Sequence, residues 1–91
     1  MDYFTLKIGD IVESTQGRDL GTRYLVVGID EKKGYCSLIN GKLKPIENPK
    51  IKNSKHLIYI GSAPELIKRL SKNITNCELS KLIEKFNTNK E

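Results

Sequence analysis

A change of hydrophobic period near residue 61 constrains the fold of this chain more than any other feature. Up to Ile60, apolar and polar residues alternate in short runs that are separated by glycine-containing turns. After Gly61, apolar residues recur every three or four positions. Alternation is the period of a β-strand, whereas the longer spacing is that of an α-helix. The sequence therefore predicts a β unit followed by helices.

Five short strands are predicted in the β unit: Ile8–Val12, Arg23–Asp30, Tyr35–Ile39, Lys42–Ile46 and His56–Ile60. Gly34 supplies the positive φ for a hairpin turn after the second strand. Asn40-Gly41 predicts a type I′ turn after the third strand, because both residues tolerate left-handed conformations. Pro45 has no backbone donor, so the fourth strand should lie at an edge or end of the sheet.

The second predicted strand has two apolar faces. Leu25, Val27 and Ile29 alternate onto one face, and Tyr24 and Val26 onto the other. Strictly alternating side chains point to opposite sides of a sheet. We therefore expect the strand to form part of a barrel wall, with these two sets of side chains on opposite faces.

Two helices are predicted in the C-terminal third. The first spans Ala63 to Leu70 with Pro64 in its first turn, where proline is tolerated. The second begins at Thr75, which forms a capping box with Glu78. Their apolar side chains either cover the β unit or bind a partner protein, and we expect covering because so small a β unit is marginal alone. They are Leu66, Ile67, Leu70, Leu79, Leu82, Ile83 and Phe86.

The predicted fold class is mainly β: a small five-stranded barrel at residues 1–61 and two short C-terminal α-helices at 62–87. The helices pack on the barrel as part of one domain, and residues 88–91 form a polar tail. The 91 residues offer room for one modest core. There is no membrane-length apolar stretch and no signal-peptide pattern at the N-terminus, so the predicted location is the cytoplasm.

Catalysis and cofactor binding are not expected. Cys36 and Cys77 have no CxxC partner, and His56 is the only histidine that could join them in a metal site. We expect both cysteines to be reduced, semi-buried structural thiols. No nucleophile with an adjacent base and no pair of catalytic carboxylates is evident. The sequence thus predicts a protein without enzymatic activity, metal or cofactor.

The net charge of +5 is concentrated in the middle of the chain. Residues 31–60 carry seven basic and two acidic side chains, whereas residues 1–30 carry three basic and five acidic ones. A clustered positive field suits a polyanionic partner. Five lysines with His56 form a predicted lysine-rich strip opposed only by Glu47, with Asn53 adding hydrogen bonds: Lys42, Lys44, Lys50, Lys52 and Lys55. The alternative is a solvated loop without a partner.

The loop between the first two strands is the second candidate site. Gly17 and Gly21 let backbone amides approach a phosphate closely, and Arg18 and Arg23 supply donors to it. Alternatively, the glycines serve only the turn. The loop cannot be a nucleotide-binding P-loop, because it lacks the Gly-Lys-Ser/Thr ending and leads into a strand.

The sequence leaves the roles of two further residues in this region, Tyr24 and Asp19, undecided. Tyr24 lies just past the loop, where it either stacks on a base or packs against the helices. Asp19 places a carboxylate among these expected phosphate-binding groups. We expect it to orient Arg18 or Arg23 and not to contact the partner itself.

The segments "GDIVESTQGRDLGTRYLVVGI", "INGKLKPIENPKIKNSKHL" and "ITNCELSKLI" carry a family resemblance. The first resembles a KOW motif, a strand–loop–strand element of SH3-like barrels in ribosomal proteins and elongation factors. Together they resemble small bacterial KOW-domain RNA-binding proteins, relatives of the archaeal and eukaryotic large-subunit ribosomal protein family fourteen-e. The resemblance extends from about residue 6 to 86. It implies an SH3-like five-stranded barrel that binds RNA, with ribosomal RNA as the expected class, without catalysis.

Together with the clustered positive charge, the resemblance therefore implies a monomeric ribosomal or ribosome-associated protein that binds large-subunit ribosomal RNA, with ribosomal proteins as further candidate partners. The first hairpin loop and the lysine-rich strip form the predicted interface. The alternative is an SH3-like protein-interaction module of the translation or transcription machinery. A groove lined with aromatic residues would favour that alternative, and this chain has no tryptophan.

Overall fold

The computed structural model describes residues 6–86 as a five-stranded antiparallel sheet with two helices. The strands are β1 (Asp10–Ser14), β2 (Arg23–Asp30), β3 (Tyr35–Ile39), β4 (Lys50–Asn53) and β5 (Leu57–Ser62), in the order β4-β3-β2-β1-β5 across the sheet. A 3₁₀ turn (Ser54–His56) joins β4 to β5. The helices are α1 (Pro64–Leu70) and α2 (Asn76–Lys85). The predicted mainly β class with two C-terminal helices is confirmed.

Local sequence signals determine several boundaries. The Gly34 amide donates to the Asp30 carbonyl, and Gly34 has φ of 73°, which confirms the second hairpin. Thr75 and Glu78 form the predicted capping box at the start of α2. These elements depend on hydrogen bonds between residues at most four apart, which is why a sequence pattern predicts them.

The fourth strand lies elsewhere than predicted. Residues 42–46 form a loop, and β4 begins only at Lys50. The Asn40 side chain accepts hydrogen bonds from the Lys42 and Lys44 amides, and Ile46 donates to the Asn76 side chain at 2.7 Å. The loop's backbone groups are thus satisfied by Asn40 and α2. The predicted hairpin at Asn40-Gly41 is wrong for this reason.

Each face of the sheet has its own apolar cluster. On one face, Ile11, Leu25 and Ile39 pack against α1 and α2. All seven apolar helix residues predicted to cover the β unit belong to this cluster or pack against it. On the other face, a second cluster contains Val12, Tyr24, Val26, Cys36, Leu38 and Leu57. Leu25 and Val27 thus lie on one face of β2 and Tyr24 and Val26 on the other, as predicted, and both faces are buried.

Ile29 packs on the face opposite to the one predicted. A register shift between Val26 and Gly28 leaves Val27 as an extra residue in the pairing of β2 with β3. One inserted residue reverses the side-chain alternation beyond it. Ile29 accordingly packs with the Tyr24 cluster and not with Leu25.

The sheet is strongly curled. Its outer strands, β4 and β5, would lie about 19 Å apart in a flat five-stranded sheet. Only the 3₁₀ turn separates Asn53 from Leu57, and four peptide steps span at most about 15 Å. The edges are therefore drawn together at this end. Leu57 of β5 consequently shares a cluster with Leu38 of β3.

The helices of the described region are short. They contain seven and ten residues, and neither has the length and apolar character of a membrane-crossing helix.

The two cysteines differ in environment. Cys36 is buried in the Tyr24 cluster, whereas Cys77 on α2 is exposed, so the predicted semi-burial is wrong for Cys77. Burial, followed by the nearby Asp10 carboxylate, raises the pKa of the Cys36 thiol to about 11. The thiolate form is the reactive one.

We expect iodoacetamide at neutral pH to modify Cys77 rapidly and Cys36 only after unfolding. Mass spectrometry of peptides from native and urea-treated protein would measure both rates. Cys77→Ser should leave the native protein unreactive. Fast native labelling of Cys36 in that variant would contradict the buried environment described here.

Candidate nucleic-acid interface

Asp19 is the centre of the first hairpin loop and is only 7% exposed. Its turn is closed by the Leu20 amide donating to Gly17 and the Thr22 amide donating to Asp19. Gly17 and Gly21 have φ of 90° and 87°, in the left-handed region that glycine adopts without strain. The two glycines let the loop fold back so that the Asp19 carboxylate points beneath it.

The strand ends beside the loop orient this carboxylate. The Tyr24 hydroxyl donates to Oδ2 at 2.7 Å, and the Ser14 hydroxyl donates to Oδ1 at 2.9 Å. Ser14 and Tyr24 are each five residues from Asp19, on opposite sides of the loop. The hairpin thus supplies one hydroxyl to each carboxylate oxygen.

Two lysines of β4 complete the surroundings of Asp19. Lys50 Nζ lies 3.2 Å from Oδ2 and Lys52 Nζ lies 3.2 Å from Oδ1. The two lysines alternate with Ile51 along β4, so both point to the same side of the sheet. Lys52 also donates to the Gln16 carbonyl at 3.1 Å. These bonds connect the first hairpin loop to β4.

The ionisation of this cluster follows from its contacts. Burial alone would raise the pKa of Asp19, but the hydrogen bonds from Tyr24, Ser14, Lys50 and Lys52 together hold it well below its usual value. Burial, and then the hydrogen bond to Asp19, raise the pKa of Tyr24 above its usual range. Asp19 is therefore a carboxylate and Tyr24 a neutral donor at physiological pH.

The structure corrects the expected partners of Asp19. Arg18 is exposed at the loop tip, with no hydrogen bond to Asp19 among the described contacts. Arg23 pairs with Glu13 at 3.2 Å and donates to the Phe86 carbonyl. Asp19 instead contacts the β4 lysines, because the sheet brings β4 under the loop.

Tyr24 is also corrected. Tyr24 is 1% exposed and packs with Val12 and Leu38 in the cluster on the sheet face away from the helices. It therefore neither offers a free face to a base nor packs against the helices. The exposed tyrosines of the described region are Tyr35 and Tyr59, neither of which is among the predicted interface residues. The alternation of apolar residues along β3 and β5 does not by itself show which tyrosine rings remain exposed.

The predicted interface residues fall into two groups. Seven lie either in the loop around Asp19 or in β4 and the 3₁₀ turn that follows it: Gly17, Arg18, Lys50, Lys52, Asn53, Lys55 and His56. The Thr15 amide donates to the His56 carbonyl at 2.9 Å, and Asn53 caps the 3₁₀ turn by accepting from the Lys55 amide. A Cβ at Gly17 would lie 3.5 Å from Lys52 Nζ. We call the surface formed by residues 15–20 with Lys50, Lys52 and His56 the loop–β4 surface.

The second group lies on the other side of the loop. Gly21, Arg23 and Lys42 line a cavity of about 420 Å³ between the loop, residues 40–43 and α2. Lys42 forms an ion pair with Glu84 of α2. Lys44 belongs to the same 42–46 loop. The predicted lysine-rich strip is therefore divided between two surroundings.

His56 has one notable feature. Its Nδ1 atom is buried without a hydrogen-bond partner among residues 6–86. Within the same residues, no three His, Cys, Asp or Glu side chains are grouped closely enough to hold a metal ion.

No protein-family model and no curated protein matches this chain. The resemblance of the sequence to KOW-domain proteins therefore stays a prediction.

Proposed function

We propose that this protein binds structured RNA through the loop–β4 surface, as a ribosomal or ribosome-associated component. One observation carries the proposal: Asp19 joins the first hairpin loop to Lys50 and Lys52. Two segments that the sequence predicts to contact RNA, far apart in the chain, thereby share one surface. The proposed RNA is ribosomal RNA of the large subunit, in keeping with the KOW resemblance.

The proposed fold behind this surface is an SH3-like barrel of the KOW type. The curled sheet supports it, because the 3₁₀ turn draws the two outer strands together at one end. Curling of this kind is a step towards the closure that protects sheet edges. A barrel would hold the loop rigidly on one rim.

The proposed mechanism is positioning without chemical catalysis. Arg18, exposed at the loop tip, supplies a forked donor to phosphate oxygens. Lys50 adds a second positive charge, and the Gly17 backbone leaves room for close approach. Contacts of this kind supply affinity and orientation and carry little sequence information. The proposal includes a cytoplasmic monomer in the unbound state.

Arg18→Ala is expected to weaken binding to purified ribosomal RNA about fivefold and to lower the slope of log affinity against log salt by about 0.9. Filter binding at several salt concentrations measures both quantities. Arg69→Ala on α1 is the matched control, because Arg69 is exposed and removes the same charge elsewhere. Wild-type binding that is absent or independent of salt would exclude the proposed function. Equal losses in both variants would exclude the loop as its site.

A second function, protein interaction, is favoured by one observation. Tyr35 and Ile51 are 40% and 59% exposed and flank Gly28 and Ser37 along a cavity of about 470 Å³. Exposed apolar groups of this kind suit a peptide or protein partner. Purification of the tagged protein with and without nuclease separates the two functions, because protein partners held through RNA would be lost on nuclease treatment.

A further inference from the structure

The Asp19 cluster carries a net charge of +1. It contains one carboxylate and two ammonium groups, each 3.2 Å from a different carboxylate oxygen. A buried carboxylate needs a counter-charge, which one lysine supplies. The second lysine is therefore surplus to the internal balance.

The two lysines are not equivalent. The Lys52 side chain is 12% exposed, and its ammonium donates to both Asp19 and the Gln16 carbonyl. The Lys50 side chain is 31% exposed, and its ammonium forms an ion pair with Asp19 and with no other described residue. An ammonium has three N–H donors, so Lys50 retains two for a ligand. Lys52 is the internal counter-charge, and Lys50 is the charge at the surface.

The carboxylate between them is fixed before any ligand arrives. Tyr24 and Ser14 each donate a hydroxyl to one of its oxygens, and both residues are buried. The same oxygen that accepts from Tyr24 also contacts Lys50. The position of the Lys50 ammonium is thus determined by a buried network and not by its own flexible stem.

We propose that Asp19 is a positioning residue that holds the Lys50 ammonium ready for one phosphate group of the RNA backbone, while Lys52 neutralises the carboxylate from within. This inference rests on the proposed function and adds the residue that organises the contact. A preorganised donor binds more tightly than a mobile one, because less side-chain entropy is lost on binding. An acidic residue would thereby strengthen the binding of a polyanion.

Simple electrostatics and positioning predict opposite signs for Asp19→Asn. The substitution raises the net charge of the chain by one unit from +5, so charge alone should tighten RNA binding. Loss of positioning should instead weaken it, by about fivefold if one phosphate contact becomes disordered. Because Lys50 is still present, the salt slope should not fall.

The experiment measures fluorescence anisotropy of a labelled RNA hairpin at several salt concentrations, with circular dichroism to verify folding. Lys50→Gln is expected to lower affinity about fivefold and the salt slope by about 0.9. Glu31→Gln, in the exposed turn before β3, is the charge-matched control for Asp19→Asn and should bind at least as tightly as wild type. Tyr24→Phe leaves the charge unchanged, removes one bond to Oδ2 and should lower affinity about threefold.

The outcomes separate the two proposals. If the wild-type protein shows no salt-dependent RNA binding, the proposed function is rejected, and this inference with it. If wild type binds RNA but folded Asp19→Asn binds equally or more tightly, the positioning role is overturned and the function stands. Should Asp19→Asn fail to fold, Tyr24→Phe decides: weaker binding with an unchanged salt slope supports positioning, and unchanged binding overturns it. Unaltered affinity of Lys50→Gln overturns the phosphate contact.

Discussion

Replacing Asp19 by asparagine is expected to lower the free energy of unfolding by about 3 kcal/mol at neutral pH. The carboxylate is 7% exposed and holds two hydroxyls and two ammonium groups in place. An amide keeps the shape, but it removes the counter-charge of Lys52, whose side chain is only 12% exposed. It also places an NH₂ group where an oxygen accepted a hydrogen bond. Urea unfolding followed by circular dichroism would measure the loss.

This loss should depend on pH in one direction. The folded-state pKa of Asp19 lies below its unfolded value of about 3.9. The stabilisation from its charge is therefore present above the unfolded pKa and is lost as pH falls through the folded pKa. The stability difference between wild type and Asp19→Asn should be full near pH 6 to 7 and shrink below about pH 4.

Glu31→Gln is the control for this comparison, because its side chain is exposed in a turn. It should change stability by less than about 0.5 kcal/mol. An Asp19→Asn variant as stable as wild type would contradict the role of the cluster, and so would a difference that stays constant from pH 7 to pH 3.

Gly41→Ala is expected to destabilise the protein by about 3 kcal/mol. Gly41 has φ of 80°, which any other residue adopts only with strain. A Cβ at this position would also overlap the backbone oxygen of Asn76 at the start of α2. Since the overlap is with backbone, it can be relieved only by moving residue 41, together with the 42–46 loop that follows it, away from the start of α2. Thermal or urea unfolding would measure the effect.

Gly21→Ala is the matched control, because Gly21 has φ of 87° but its Cβ would meet no atom within 4 Å. Backbone strain alone should cost about 1 kcal/mol there. The excess cost at Gly41 then measures the close approach of the loop to α2. Equal costs at both glycines would contradict that packing.

The turns and helix ends that the sequence predicts correctly depend on interactions between residues close together in the chain. The turn ending at Gly34 and the capping box of Thr75 with Glu78 each involve residues no more than four apart, so their sequence patterns suffice. The apolar spacing of α2 likewise predicted the face that packs on the sheet, with Leu79 and Ile83 both buried there.

The 42–46 loop and the burial of Tyr24, which the sequence does not predict, depend on contacts between residues far apart in the chain. Residues 42–46 form a loop and not a strand, because the Ile46 amide donates to the side chain of Asn76, 30 positions away. Tyr24 has an aromatic ring of the kind that stacks on bases, but the ring is buried in the cluster with Val12 and Leu38. Its hydroxyl donates a hydrogen bond to Asp19. Neither result follows from a local pattern, because propensity does not say which distant group will satisfy a backbone amide or a hydroxyl.

The sequence by itself determined the change from strands to helices, the glycine-bounded loop and the concentration of positive charge in residues 31–60. Only the tertiary structure decided which cations Asp19 contacts. Arg18 is its neighbour in the chain, yet Lys52 lies 33 positions away and forms the bond. The curled sheet brings Lys50 and Lys52 of the edge strand β4 to Asp19 in the loop between β1 and β2. The buried carboxylate pairs with these ammonium groups, since a charge removed from water requires partners at short range.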